Sequence, residues 1–475
     1  MRILVPAIAA SLALCLTPAA AKPAKPKPPA AAPAPLPPAQ VAAALRDKAL
    51  TDTTAWDVLE SLTTEVGPRP AGSPGMARAK DWAVAKLTAL GFQNVKVEEF
   101  AKPSWARGEE SAQIVGPYPF KLSIIGLGGT VPTPPEGIEA QIVVFDSFAE
   151  LMAAPEGSLA GKIAVLNQPM TRTQDGSGYG YAVRARALGP SEAAKRGAVA
   201  FMMRSVSTSG NREPHTGATR YADGVAKIPA VALGIPDADQ LERLAKLGPV
   251  TVKLKLASST STTTVSWNIS GEIVGSEKPD EVIVIGGHLD SWDPGTGAID
   301  DGAGVAITTA AAKLIAGLPQ KPKRTIRVVM WGSEETGGSG AAYAAAHNDE
   351  LAKTIIAGES DLGADNIYSV QLPAGALKDP TFAALPSLYA PLKIIVSQDA
   401  AQFGGSDTEE IQAEGVPVFT LNQDASRYFD LHHSADDTLD KVDPLQLNQN
   451  VAAWASLLWL MANSDIDFRA VAAAK

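Results

Sequence analysis

Over the C-terminal half of the chain, short apolar runs closed by glycine or polar residues alternate with stretches whose Ala, Val and Leu return every three to four positions. The first kind fits strands buried on both faces, the second fits helices laid against them. Strands are predicted at 282–285, 325–331, 354–357, 393–396 and 416–420, and helices at 302–316, 338–347, 408–413 and 445–461. Upstream, the same reasoning predicts helices at 41–50, 54–66 and 75–90, with Thr53 or Thr54 as a cap for the second, and a strand at 95–100. Between 111 and 263 the pattern changes. Short strands such as 140–144, 162–165, 198–202 and 250–256 alternate with Gly/Pro turns, and one helix fits at 190–196. The chain thus reads as one α/β domain, 41–110 with 264–475, carrying a mostly parallel central sheet with helices on both faces. The stretch 111–263 reads as an inserted, mostly β domain whose role is packing or covering.

The length of 475 residues allows two or three such units, and the net charge of -10 excludes nucleic acid as a partner, since phosphate binding needs a basic face. Residues 1–21 have Arg2, an apolar core and a small-residue end at Ala19, Ala20 and Ala21, the plan of a secretory signal peptide. Export to the periplasm or the extracellular space follows. The single cysteine, Cys15, falls inside that segment, so the mature chain has no disulfide; a lipoprotein reading is disfavoured by the bulk of Leu14 before it. Residues 22–40, nearly all Pro, Ala and Lys, form an extended linker. No later apolar run is long and uncharged enough for a transmembrane segment.

Chemistry concentrates where the predicted parallel strands end, the edge on which open α/β sheets build their sites. After 282–285 come His288, Asp290, Asp293, Asp300 and Asp301; after 325–331, Glu334 and Glu335; after 354–357, Glu359 and Asp361; and a late loop holds His432 and His433. Singly, each has an ordinary reading as a solvated loop or turn. Jointly they supply imidazole and carboxylate in the mixture that suits zinc or a similar divalent ion, with a carboxylate as the natural bridge between two cations. The lone His215 of the inserted stretch reads as a loop histidine.

The stretches 287–293, 297–302, 331–338, 359–361 and 432–434, together with Gly67, Pro68 and Arg69, closely resemble the M28 family of co-catalytic zinc exopeptidases, and within it the carboxypeptidase Q branch. The resemblance covers nearly all of the chain after the linker. It implies a zinc-peptidase (phosphorylase/hydrolase-like) fold with a protease-associated-like domain at 111–263, and two Zn2+ per chain. His288 and Asp361 would hold one ion, Glu335 and His433 the other, and Asp300 would bridge them. His433 is preferred to His432 because it directly precedes Ser434, which matches the family's Ser/Thr. Glu334 takes the general-base position, and Asp290 would support the His288 ring through its free N–H. The substrate implied is a dipeptide or short peptide. Gly404 to Asp407 resembles a substrate-side loop, although the residues before it depart from the branch pattern. Whether the amino or carboxyl end is trimmed stays open, and a homodimer is expected only by resemblance. Two other readings stand beside it: a glutaminyl-cyclase-like transferase with one zinc, and a catalytically inactive M28-like binding protein.

Overall fold

The computed structural model describes residues 36–473 together with Met1, Ile3, Leu4, Ala7, Ala9 and Ser11. The expected signal peptide, apart from those scattered positions, and most of the expected linker lie outside the described residues. Met1–Leu36 and Pro37–Lys475 are separate units. The first helix, Pro38–Ala49, begins inside the stretch read as linker, because Pro38 at the first helical position has no N–H to lose and already has the helical φ. The second helix, Thr54–Ser61, is not capped by Thr53; Asp52 accepts from Thr54 N at 2.9 Å instead.

The central sheet has five strands in the order Gln93–Ala101, Val265–Ile273, Arg324–Trp331, Lys278–His288, Thr354–Glu359. The last three are parallel neighbours, and the first two run antiparallel to theirs. Four of the five strands therefore run the same way, and Val265–Ile273 runs against them. Side chains alternate across it: Ile283 and Ile285 enter the large core under helices Pro38–Ala49, Ala303–Ala316 and Pro444–Asn463, while Val282 and Val284 meet Tyr343 and Ile411 on the opposite face. Helices on both faces, as expected, leave the three parallel strands largely buried, while the edge strand Gln93–Ala101 stays half-exposed to exposed. Pro444–Asn463 is apolar nearly all round because it is enclosed on all sides. A small sheet of Ile395–Val396, Ile367–Gln371 and Thr420–Gln423 extends this layer.

The stretch between Ala101 and Val265 folds around its own eight-stranded sheet, whose inner strands Ile138–Phe145, Ile163–Leu166, Ala200–Arg204 and Ala230–Leu233 are parallel. It is less purely β than its sequence suggests, with helices Phe148–Ala153, Ser177–Lys195 and Ile235–Ala245 packed on it. The predicted 190–196 helix is only the end of the 19-residue Ser177–Lys195, which contains Pro190. Ala101 and Val265 are paired directly across adjacent antiparallel strands, so the stretch leaves and rejoins the central sheet at one place.

Candidate metal centre and active site

Three of the acidic or histidine clusters sit just past the C-terminal ends of the three parallel strands, and hence along one edge. His288 closes Lys278–His288, and Asp300 follows in the turn before helix Ala303–Ala316. Glu334 and Glu335 come after Arg324–Trp331, Asp361 comes after Thr354–Glu359, and His433 lies in the loop after Thr420–Gln423. All converge. Asp300 is central, with Oδ1 3.0 Å from His288 Nε2 and Oδ2 3.2 Å from His433 Nε2. Asp361 Oδ1 is 3.4 Å from His288 Nε2, and Glu335 Oε2 is 2.9 Å from His433 Nε2.

Asp301 and His432 also approach the cluster, but their surroundings differ. Both oxygens of Asp301 accept main-chain N–H groups, from His288 at 2.9 Å and Gly304 at 3.0 Å, so it pins the strand end to the helix start. His432 Nε2 stands 3.7 Å from Asp300, and its ring stacks on that of His433. Asp290 serves His288 differently from the expectation: the Nδ1–H of His288 donates to the main-chain oxygen of Asp290 at 2.9 Å, and the carboxylate Oδ1 accepts from Glu334 N at 2.9 Å. Asp293 turns away to a two-pronged pairing with Arg107.

The donor set fits divalent cations. Asp290, Asp300 and Asp301 are buried, and among the described residues the ion-pair partners of Asp290, Asp300, Glu335 and Asp361 are all histidines. Asp290 Oδ2, Asp300 Oδ2 and Glu335 Oε1 are buried without a hydrogen-bonding partner. Carboxylates withdrawn from water with no cation beside them are strongly disfavoured, and a metal ion is the compensation this set of oxygens and imidazoles suits. Burial, then the charge of Asp300, pushes Glu335 up to about 8, and burial pushes Asp290 up to about 6. Against the pull of burial, Glu335 and Asp300 lift His433 to about 9. Glu334 is also raised, by burial and then by Asp361.

The cluster opens onto a cavity of about 1370 Å³ bounded by both sheets, with Trp105, Tyr179 and Arg186 on the inserted side and Glu334, Asp361 and Phe403 on the other. The Gly404 to Asp407 loop lines it as well. Several residues with structural claims on the site carried no motif. Asp437 accepts from Ile299 N at 2.6 Å and Asp300 N at 3.3 Å. Thr216 reaches His433 from the inserted segment through its main chain, which no side-chain pattern announces. Arg69, noticed only as part of Gly67, Pro68 and Arg69, is fully buried and donates to the carbonyls of Leu289, Thr296 and Gly297, tying down the loop between His288 and Asp300.

The model of peptidase family M28 matches residues 268–458. Carboxypeptidase Q of Rattus norvegicus is 40% identical over 412 residues, covering 86% of this chain and 85% of its own. Carboxypeptidase Q of Homo sapiens is 38% identical over 412 residues, with the same coverage. A peptidase M28 precursor from Shewanella amazonensis, solved as a crystal structure, superposes with a TM-score of 0.88 at 46% identity, covering 90% of this chain and 98% of that one. A zinc aminopeptidase from Bacillus subtilis shares the fold at 16% identity and a TM-score of 0.61, over 87% of this chain and 95% of that chain.

Proposed function

The chain belongs to peptidase family M28, and from that premise we propose that this metallo-exopeptidase binds two zinc ions and hydrolyses dipeptides or short peptides. In this reading His288 and Asp361 hold one ion, Glu335 and His433 the other, and Asp300 bridges them. The observation that carries it is the placement of Asp300, whose two oxygens face two different histidines at 3.0 and 3.2 Å. Zinc bound there would lower the pKa of an attacking water and polarise the scissile carbonyl. Glu334 takes the proton of that water and hands it to the departing amine. Its main chain is held by Asp290, so one fully buried carboxylate sets the position of the base while the neighbouring main-chain oxygen orients the His288 ring. The segment 111–263 is the protease-associated-like domain of this reading, with 41–110 and 264–475 forming the peptidase domain. Residues 1–21 direct export.

The test separates chemistry from metal binding. Glu334→Gln is expected to take up two equivalents of zinc and to lose about 10²–10⁴ in kcat on a free dipeptide. Asp300→Ala is expected to lose both zinc and turnover. Near wild-type hydrolysis by Glu334→Gln would remove Glu334 from its role. A single zinc equivalent in the wild-type chain would favour the one-zinc transferase chemistry instead.

A further inference from the structure

Among the described residues, the carbonyls of His432 and His433 each have one hydrogen-bond donor, and both donors come from the inserted segment. The Nδ1–H of His215 reaches His432 O at 2.6 Å, and Thr216 N reaches His433 O at 2.9 Å. Thr216 returns its own carbonyl to Nδ1 of His433 at 3.4 Å, and Arg186 donates to the same carbonyl at 3.3 Å. His433 has a φ of 62°, a left-handed conformation costing about 1–2 kcal/mol for a residue with a Cβ, so something outside its own loop has to hold it. Because a carbonyl only accepts, the proton of His215 sits on Nδ1, while Nε2 lies 3.0 Å from Ser207 Oγ, whose single proton is shared between that nitrogen and Phe429 O at 2.8 Å. The same segment grips the loop further back, where Thr208 N donates to Phe429 O at 3.2 Å and Thr208 Oγ1 to Asp430 at 2.8 Å. His215 itself is 1% exposed and, among the described residues, belongs to no group of metal-type donors within mutual reach.

We propose that His215 and the Thr216 main chain are positioning residues for the metal held by His433, so that the inserted domain forms part of the metal centre rather than a cover over it. The proposal rests on the reading of His433 as a metal ligand. Partners that orient a ligating imidazole contribute roughly 10- to 100-fold to metal affinity. His288, oriented by Asp290 O in the loop that follows its strand, has no hydrogen bond to the inserted segment among the described residues, so the two metal positions should respond differently to changes at His215.

The experiment is a zinc titration of chelator-treated full-length protein against a competing chromophoric chelator, with thermal melting of the metal-free form to compare folds. His215→Ala should weaken one of two zinc equivalents about 10- to 100-fold and leave the other within about threefold. His215→Asn, which keeps a donor near the Nδ1 position, should recover most of the loss, whereas His215→Gln, with its donor on the Nε2 side, should not. If His215→Ala does not fold, the Asn and Gln variants decide by themselves. Equal zinc binding by those two, equal weakening of both equivalents, or unchanged binding by His215→Ala would each overturn the proposal. A single equivalent in the wild-type chain would instead overturn the two-metal reading, while the positioning role would still be judged by whether that equivalent weakens in His215→Ala.

Discussion

Asp437 shares no recognisable motif with the ligand cluster, yet its carboxylate holds the two main-chain N–H groups of the turn from which Asp300 projects. Replacing it with Ala leaves both donors buried and unpaired, a loss of about 1–3 kcal/mol of stability, and frees Asp300 to shift. Asp437→Ala should therefore lower zinc affinity about 10- to 100-fold, and Asp437→Asn, which keeps one accepting oxygen, should lose less; the zinc titration and urea unfolding of both variants measure this. At this scale the sequence exposes what a residue can bind better than what it does bind. His288, Glu334, Glu335 and Asp361 could be picked out because they close or follow apolar strands, and Asp300 and His433 because their loops carry further Asp and His residues. Asp437 could not, because its partners lie 138 and 137 residues away. Asp290 shows a subtler gap: extended backbone did predict that it would serve His288, but the service comes from its carbonyl, while its carboxylate serves Glu334.

Helix Ala303–Ala316 lies against the end of strand Lys278–His288 closely enough that a Cβ on Gly287 would sit 2.5 Å from Asp301 Oδ2 and 2.6 Å from the Gly304 carbonyl carbon. The approach of these two elements is what places His288 and Asp300 side by side. Gly287→Ala should force them apart, costing about 1–3 kcal/mol in urea unfolding and weakening zinc binding together with it. The apolar run 282–285 was enough to locate that strand, and the helical period after 302 enough to locate the helix, because both are enclosed by core on every side. Strand Val265–Ile273 was not among the predicted ones, since Ser266, Asn268, Ser270 and Glu272 interrupt its apolar residues. Helix Ser177–Lys195 was mostly missed as well. Gly178, Gly180, Gly189 and Pro190 argue locally against a helix, and packing against the inserted sheet overrides them.

At the scale of the whole molecule, buried acidic groups gather at one point with histidines as their ion-pair partners among the described residues, and removing a metal bound there should change the protein's response to pH. Without metal, burial and Asp300 hold Glu335 near 8 and Asp437 near 7, while Glu335 and Asp300 lift His433 to about 9. Each group binds its proton more tightly folded than unfolded, so its contribution to stability is full at low pH and is lost as pH rises through the folded value. The Tm of chelator-treated protein should fall between pH 6.5 and 9, and saturating zinc should flatten that slope; calorimetry at both ends of the range is the check. The change of pattern near 111 and 263 falls close to where the chain leaves the central sheet at Ala101 and rejoins it at Val265, so that much was legible. That the intervening stretch would reach back to His433 was not legible, because most of the accepting atoms are main-chain carbonyls common to every residue. The pairing of Ala101 with Val265 gives this layout a historical dimension. A two-residue hairpin turn could join those strands directly, so the middle third of the chain has the geometry of a cassette spliced into an ancestral loop. A minimal descendant lacking it would keep an unbroken platform, yet its second imidazole would be left on an untethered loop.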